Sequence, residues 1–563
     1  MIPVDFRDIF LFSAIVIIIL TTLFLTWGKM QLGDNTTELT YGTMIKAGMT
    51  PYKDFYLHVM PFTAYLARLI EGSKFPIHFT NIIGVINLIV AVIIVGCIGK
   101  ILKLSFFERV LGFFIFLGVY TITLLYFNHH SFDITLSASV VMFVLFILKS
   151  AEKTKTRLFC VLAAIGAVTT FFVTQTYGLA AMVLGPFVLL LDFLLNKNKA
   201  SARKLALLAV MEIITLSAVL ALFALAGRIS VAEMFKATFS TGYEQYTSTY
   251  GYGTIWRTSI QNIQSFSSKR FSKSATHNGV GVSQETVPIT SEFLFKPALA
   301  DNLFNKIFIK KSSLLNSFVS LASLVLMIVM AIQFCYMAGK QLAAKQPIDQ
   351  FILVWGAIIG IFFASSILVF SLNFSGFFVI FLLWLYALHQ MPLRLQKFLG
   401  DPAKLVFGFF GAMLLISNLA ILRYEYKTRQ YYVSKTANET VWASPLYTRD
   451  FVNQFKLLAD VIDKEPSSQK FAAYPRASEI YYLLGKVPPP GFPMVSFYRP
   501  GGAYSSTLNI AEKSDVVIIF EPAFWVADLG EEHRFAMRQI QPALDDNFNL
   551  FFSSEYFKVY KRK

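Results

Sequence analysis

Residues 33–61 read GDNTTELTYGTMIKAGMTPYKDFYLHVMP. The stretch is too polar to cross a bilayer, and too apolar and aromatic to be a simple connecting loop. It follows an apolar run that begins near Phe6 and ends at Trp27. A hydrocarbon core of about 30 Å needs about 20 apolar residues per helix, so this first run is long enough to span. It is too long for a signal-peptide core and has no small-residue cleavage site, so it reads as a retained helix. Asp34 therefore stands where a spanning helix meets the membrane surface, followed by a half-buried segment. A membrane enzyme would hold a base near a lipid substrate at such a place.

Composition agrees with a membrane-embedded chain. Of 563 residues, 55% are hydrophobic and 15% charged, against about 45–50% and about 25% in soluble domains. The net charge of +16 is read as Lys and Arg gathered in cytoplasmic loops and near anionic headgroups, and no nucleic-acid partner is expected. Cys97, Cys160 and Cys335 all fall inside apolar runs. They form neither a disulfide framework nor a thiolate metal site of normal spacing.

Windows of about 19 residues give eleven candidate spans, at 6–27, 79–99, 106–127, 132–149, 157–174, 176–195, 204–227, 314–337, 350–371, 375–391 and 404–422. The connections alternate in charge. One set carries Lys100, Lys103 and Arg109; Lys149 to Arg157; Lys197 to Lys204; Lys340 and Lys345; and Arg394 to Lys404. The short loops of the other set, at 128–130, 174–176 and 372–374, have no Lys or Arg. Because positive charge stays on the cytoplasmic side during insertion, the N-terminus is expected inside. The loop 28–78, the loop 228–313 and the tail after residue 422 are then expected outside. Asp192, at a cytoplasmic helix end near Lys197, reads as a solvated anchor.

The expected fold is thus a polytopic α-helical membrane protein of about eleven spans, with amphipathic helices in the first outer loop and an outward-facing C-terminal α/β domain. Residues 1–422 would form the membrane domain and 423–563 the extracytoplasmic one. In the tail, Phe451, Phe455, Leu458 and Val461 have helical spacing, and Gly485 stops a helix begun near Glu479. Residues 471–474 and 515–520 read as strands, and the end as a hairpin. No internal repeat is visible, which speaks against transporters built from inverted repeats.

Acidic residues at the edges of spanning helices are costly and tend to be functional. On the outer side these are Asp34, Glu38, Asp54 and Asp133, together with His58, His129 and His130. A partly desolvated carboxylate in this set can serve as a general base toward a hydroxyl; ordinary loop charge is the plain alternative. Asp34 is favoured over Glu38 by its place at the helix–loop junction. The three histidines with Asp34 and Asp133 could hold a divalent ion. They come from different loops, however, and an adjacent His pair rarely shares one ion, so no cofactor is expected.

The run Asp34-Asn35-Thr36-Thr37-Glu38, then Ala47-Gly48-Met49-Thr50-Pro51-Tyr52-Lys53-Asp54-Phe55, then His58 and Pro61, resembles the first outer loop of the GT-C superfamily of membrane glycosyltransferases. The nearest likeness is to the group of protein O-mannosyltransferases and the lipid A aminoarabinose transferase. The departures are Asn35 for a usual Glu, Ala47-Gly48 for Gly-Gly, Lys53 for Arg, Leu57 for an acidic residue and a single Pro61. Weaker likenesses are Asn128-His129-His130-Ser131-Phe132-Asp133, Gln175-Thr176-Tyr177-Gly178 with Thr174 in place of Lys, and the tail segment Tyr481 to Lys486.

The resemblance implies an inverting transfer of a sugar from a polyprenyl-phosphate donor to a hydroxyl of a lipid, glycan or protein acceptor, with Asp34 as base. The compact family-like tail, with no organelle signal in the sequence, points to a bacterial inner membrane, with the active face in the periplasm or outside. Donor phosphate would meet cations such as Lys53, Arg68, Arg257, Lys269 or Arg270, whose plain alternative is interfacial anchoring. Asp54, His58, His129, His130 and Asp133 would contact substrate. Tyr243 and Tyr246, with Tyr250, Tyr252 and Trp256, would stack on sugar or join the aromatic belt at the membrane interface. The competing class is a transporter or flippase of lipid-linked glycans without transfer activity. It would need polar residues deep in several spans, whose centres here are mostly apolar.

Overall fold

The computed structural model describes residues 6–30, 34–55, 57, 60–124, 127–241, 330–368, 377–389, 401–427, 429–434, 439–443, 449–466, 470–474, 478–490, 513–520, 540–554 and 556–563. The helices of the membrane body are α1 (Phe6–Thr26), α4 (Pro76–Ile101), α5 (Phe106–Leu124), α6 (His129–Lys149), α7 (Lys153–Val173), α8 (Gln175–Asn196) and α9 (Lys199–Leu225). After the short α10 (Val231–Phe235) come α11 (330–343), α12 (Gln350–Leu368), α13 (Phe377–His389) and α14 (Asp401–Lys427). Among the described residues, five helices are long and apolar enough to cross a membrane: α4, α6, α7, most of α8, and α9. The chain is an α-helical membrane protein.

Some helices begin where local chemistry supplies a start. Pro76 opens α4, where its missing N–H costs nothing and its fixed φ suits the first turn. Asn198 accepts from Ala200 N at 3.1 Å to open α9. Small residues let the helices approach, as expected where lipid removes the hydrophobic drive to associate. At Gly178 an added Cβ would lie 1.9 Å from the Phe171 Cα, so only glycine lets the first turn of α8 fold back on the end of α7.

The first outer loop contributes α2 (Asp34–Lys46) and α3 (Phe62–Ile70). Only α3 is one-sided: Thr63, Ala64, Ala67 and Ile70 are buried, while Arg68 and Leu69 are exposed. The expectation of amphipathic helices fails for α2. It is covered nearly all round, because α3 lies on one side and C-terminal residues on the other. Gly42 makes the α2–α3 contact close; a Cβ there would sit 2.6 Å from the Ala67 carbonyl carbon.

Two sheets are formed by the described residues. Strand β1 (Lys29–Met30), just after α1, pairs in parallel with β3 (Glu439–Ala443), which pairs antiparallel with β2 (Gln430–Ser434). The second sheet has the order β4-β5-β7-β6, with β4 at Phe471–Tyr474, β5 at Val516–Phe520, β6 at Phe548–Ser553 and β7 at Phe557–Arg562. Its β4–β5 pairing is parallel (Ala472 opposite Val517), and β7 runs antiparallel to both β5 and β6, with a bulge at Leu550/Phe552. Helices α15 (Arg449–Asp463) and α16 (Ser478–Leu484) belong with this sheet. One apolar core unites Leu39, Tyr41 and Met44 of α2 and Ala67 of α3 with Leu458, Tyr481, Ile518 and Phe557. The phenol of Tyr482 donates to Glu71 at 2.9 Å, across 411 residues of sequence. The first loop and the C-terminal region are therefore packed as one body.

Asp192 is not the solvated anchor expected from sequence. It is 0% exposed, and its carboxylate accepts from Asn196 (2.7 Å), Asn198 (2.9 Å), Gln350 (3.0 Å) and the Ser201 hydroxyl. Asn196 also exchanges two hydrogen bonds with the backbone of Ile348. The group ties the end of α8 to α9 and α12.

Candidate active site

The polar residues that sequence places in the loop 128–130 are instead the opening of α6, which begins at His129. Asn128 caps it by accepting from Ser131 N at 2.8 Å, and such a cap is worth about 1 kcal/mol. Two neighbours hold the same turn. Asn35 on α2 donates to the Phe127 carbonyl at 2.9 Å, and Asn87 on α4 donates to the Ser131 carbonyl at 2.8 Å. This anchored turn directs His129 and Asp133, one helical turn apart, toward α2 and α8.

His129 Nδ1 lies 3.0 Å from Glu38 Oε1 on α2. Thr174, at the junction of α7 and α8, donates to Asp133 Oδ2 at 2.6 Å. The three groups are sealed from solvent: Glu38 and Asp133 are each 1% exposed and His129 5%. Glu38 Oε2 and Asp133 Oδ1 are buried and have no hydrogen-bond partner among the described residues. A buried acceptor left unmatched costs about 1–3 kcal/mol, more when charged, so this is a place where a donor from a bound molecule would be favoured. The His130 ring packs against His129 with centroids 4.1 Å apart. Beside them, Gln175 donates to the Thr238 carbonyl at 3.3 Å.

The structure thus brings together His129, His130 and Asp133 and adds Glu38 and Thr174. Sequence had weighed Glu38 behind Asp34; the signal for it was its position one helical turn on from Asp34, which puts both on one face of a helix. Asp34 is the first residue of α2, and its side chain lies outside the described residues. Asp54 serves its own turn: Oδ2 accepts from Thr50 N at 2.7 Å, and the hairpin-like turn closes through Tyr52 N to Phe55 O at 2.8 Å. Tyr52 there adopts φ +64°, and Lys53 is exposed at the tip. His58, Tyr243, Tyr246 and Arg257 lie outside the described residues. Among the described residues no three His, Cys, Asp or Glu side chains form a group fit to hold a metal ion.

No family model matches the chain, and no curated protein matches it in sequence. Solved structures do resemble it. The archaeal oligosaccharyltransferase AglB from Archaeoglobus fulgidus, in complex with an inhibitory peptide and a dolichol-phosphate, matches over all of this chain and 75% of its own, at 13% identity and a TM-score of 0.49. ArnT from Cupriavidus metallidurans, bound to undecaprenyl phosphate, matches over 98% of this chain and 97% of its own, at 11% identity and a TM-score of 0.43. Both are GT-C superfamily membrane glycosyltransferases, the group that the first-loop motif resembles. With TM-scores below 0.5, neither bears on what this chain binds or transfers.

Proposed function

We propose that the protein is an inverting glycosyltransferase that takes a sugar from a polyprenyl-phosphate donor, at the outer face of a bacterial inner membrane crossed by about eleven spans. The observation that carries the reading is the sealed cluster of Glu38, His129, Asp133 and Thr174, with its two unmatched carboxylate oxygens, beside the helix that Asp34 opens. A hydroxyl acceptor is the kind of donor such oxygens lack. Asp34 takes the acceptor's hydroxyl proton. The acceptor oxygen forms a bond to the anomeric carbon, the bond from that carbon to the phosphate oxygen breaks, and polyprenyl phosphate leaves with the electron pair. The carrier's tail remains in the bilayer while its phosphate sits at headgroup depth, where Lys53 and Arg257 are the proposed counter-charges.

The test is a transfer assay with purified protein in lipid and a polyprenyl-phosphate sugar. Asp34→Asn should lower the rate by about 10²–10⁴-fold, the usual worth of a positioned base, in protein that still folds. Wild-type rates in that variant would remove Asp34 from the role.

A further inference from the structure

A second feature lies elsewhere on the molecule and shares no residue with the acidic cluster. Between the last turns of α1, the first turn of α4, the end of α14 and the sheet β1-β3-β2 runs a groove of about 540 Å³. Its lining is of two kinds. Leu20, Leu23 and Phe24 of α1 form an apolar end, and His78, Arg429 and Thr440, with Trp27 and Trp442, a polar one; the two meet where the Tyr426 ring lies 5.3 Å from that of Phe24.

The apolar end does not stop at the groove. Ile17, Leu20, Phe24 and Trp27 are 64%, 56%, 62% and 45% exposed. Their spacing of three, four and three residues places Ile17, Leu20 and Phe24 on one face of α1, with Trp27 just past its end. Together they form an open apolar stripe about 15 Å long, at 1.5 Å per residue, leading along α1 into the groove.

The polar end is cationic. The Arg429 guanidinium stacks on the Tyr426 ring, 3.7 Å from its centroid, and lies 5.3 Å from that of Tyr431. It donates to the Tyr426 carbonyl at 2.8 Å and to the Tyr431 hydroxyl. These contacts fix the plane of the guanidinium but use only part of its five donors. No carboxylate lines the groove among the described residues. A held positive charge with no carboxylate among the described lining residues, beside an open apolar stripe at the ends of three helices, suits an amphiphile with an anionic phosphate head.

We propose that this groove is a binding site for an anionic phospholipid of the surrounding bilayer, with the phosphate against Arg429 and an acyl chain along Ile17, Leu20 and Phe24. The bound lipid bridges α1, α4 and α14 where β1 leaves the membrane.

The full-length protein in lipid nanodiscs tests this. Phosphatidylglycerol and phosphatidylcholine probes, each with a photoreactive group in the acyl chain, are compared by mapping the labelled peptides. Labelling of residues 17–27 should favour phosphatidylglycerol by about fivefold, the size of roughly 1 kcal/mol for one cationic contact with an anionic lipid. Arg429→Gln should bring the ratio near one, Arg429→Lys should retain most of it, and labelling of the exposed α9 residues Ile213 and Leu222 should not change. Equal labelling by the two probes in the wild-type protein would overturn the proposal. So would displacement of the phosphatidylglycerol probe by an equal amount of polyprenyl phosphate, since the groove would then belong to the isoprenoid carrier.

Discussion

Two buried carboxylate sites lie at opposite ends of α8, and they are finished differently. At its last turns, Asp192 is enclosed by four donors from three helices. Just before its first residue, roughly 25 Å away along the helix, Asp133 has one oxygen held by Thr174 and the other without a partner among the described residues, and Glu38 is in the same condition beside His129. A buried charge whose acceptor capacity is filled from within the protein is a fastener. One left half filled is either a cost with no return or a place kept for something that arrives later. Burial alone would not have separated the two, since both are nearly inaccessible to solvent.

The comparison can be broken from either end. The largest effect is expected at the fastener. Asp192→Ala leaves four donors without their acceptor, each orphan costing about 1–3 kcal/mol before relaxation. It should destabilise by about 3–5 kcal/mol in a denaturation titration in detergent, while the specific rate of the molecules that remain folded changes little. The cluster should behave the opposite way. Glu38→Gln and Asp133→Asn should each reduce transfer by about 10²-fold or more, with unfolding midpoints close to wild type. If Asp133→Asn unfolds the protein and spares the rate, the division between the two ends is wrong.

Smaller effects sharpen the picture. Asn35→Asp replaces an amide donor by a carboxylate that faces the Phe127 carbonyl. It should cost about 1–3 kcal/mol and lower transfer by loosening the start of α6, whereas Asn35→Gln should be milder. Tyr482→Phe removes the hydrogen bond to Glu71. It should cost about 1 kcal/mol and leave the rate unchanged, which would show that the contact between the first loop and the C-terminal region acts only through stability.

The sequence was informative where a signal is local. Apolar runs mark α4, α6, α7, α8 and α9, and the four-residue spacing of Phe451, Phe455 and their neighbours marks α15. It was silent where the partner is remote. Asp192 looked solvated because Lys197 is close in sequence, whereas Gln350, which helps bury it, is 158 residues away. The enclosure of α2 could not be read locally, because its covers are remote: α6 meets it at Glu38, and α16 packs with Leu39, Tyr41 and Met44. Asn35 stood out only as a departure from the resembled motif. Its reason is chemical, since the amide can donate to the Phe127 carbonyl and a glutamate at that position could not. His129 and Asp133 could be named from sequence, but pairing His129 with Glu38 needed a contact across 91 residues.

Strand β1 is only two residues long, yet it sets an order of events. Lys29 pairs with Trp442, and the Trp442 indole donates to the Trp27 carbonyl at 2.7 Å, 415 residues back along the chain. A ribosome that has released the first helix into the bilayer must thread every helix from α2 to α14 before this seam can close. The β1–β3 seam therefore waits until the chain has been made past residue 443. A nascent chain stalled short of that point would carry the membrane helices with the end of α1 still unpaired.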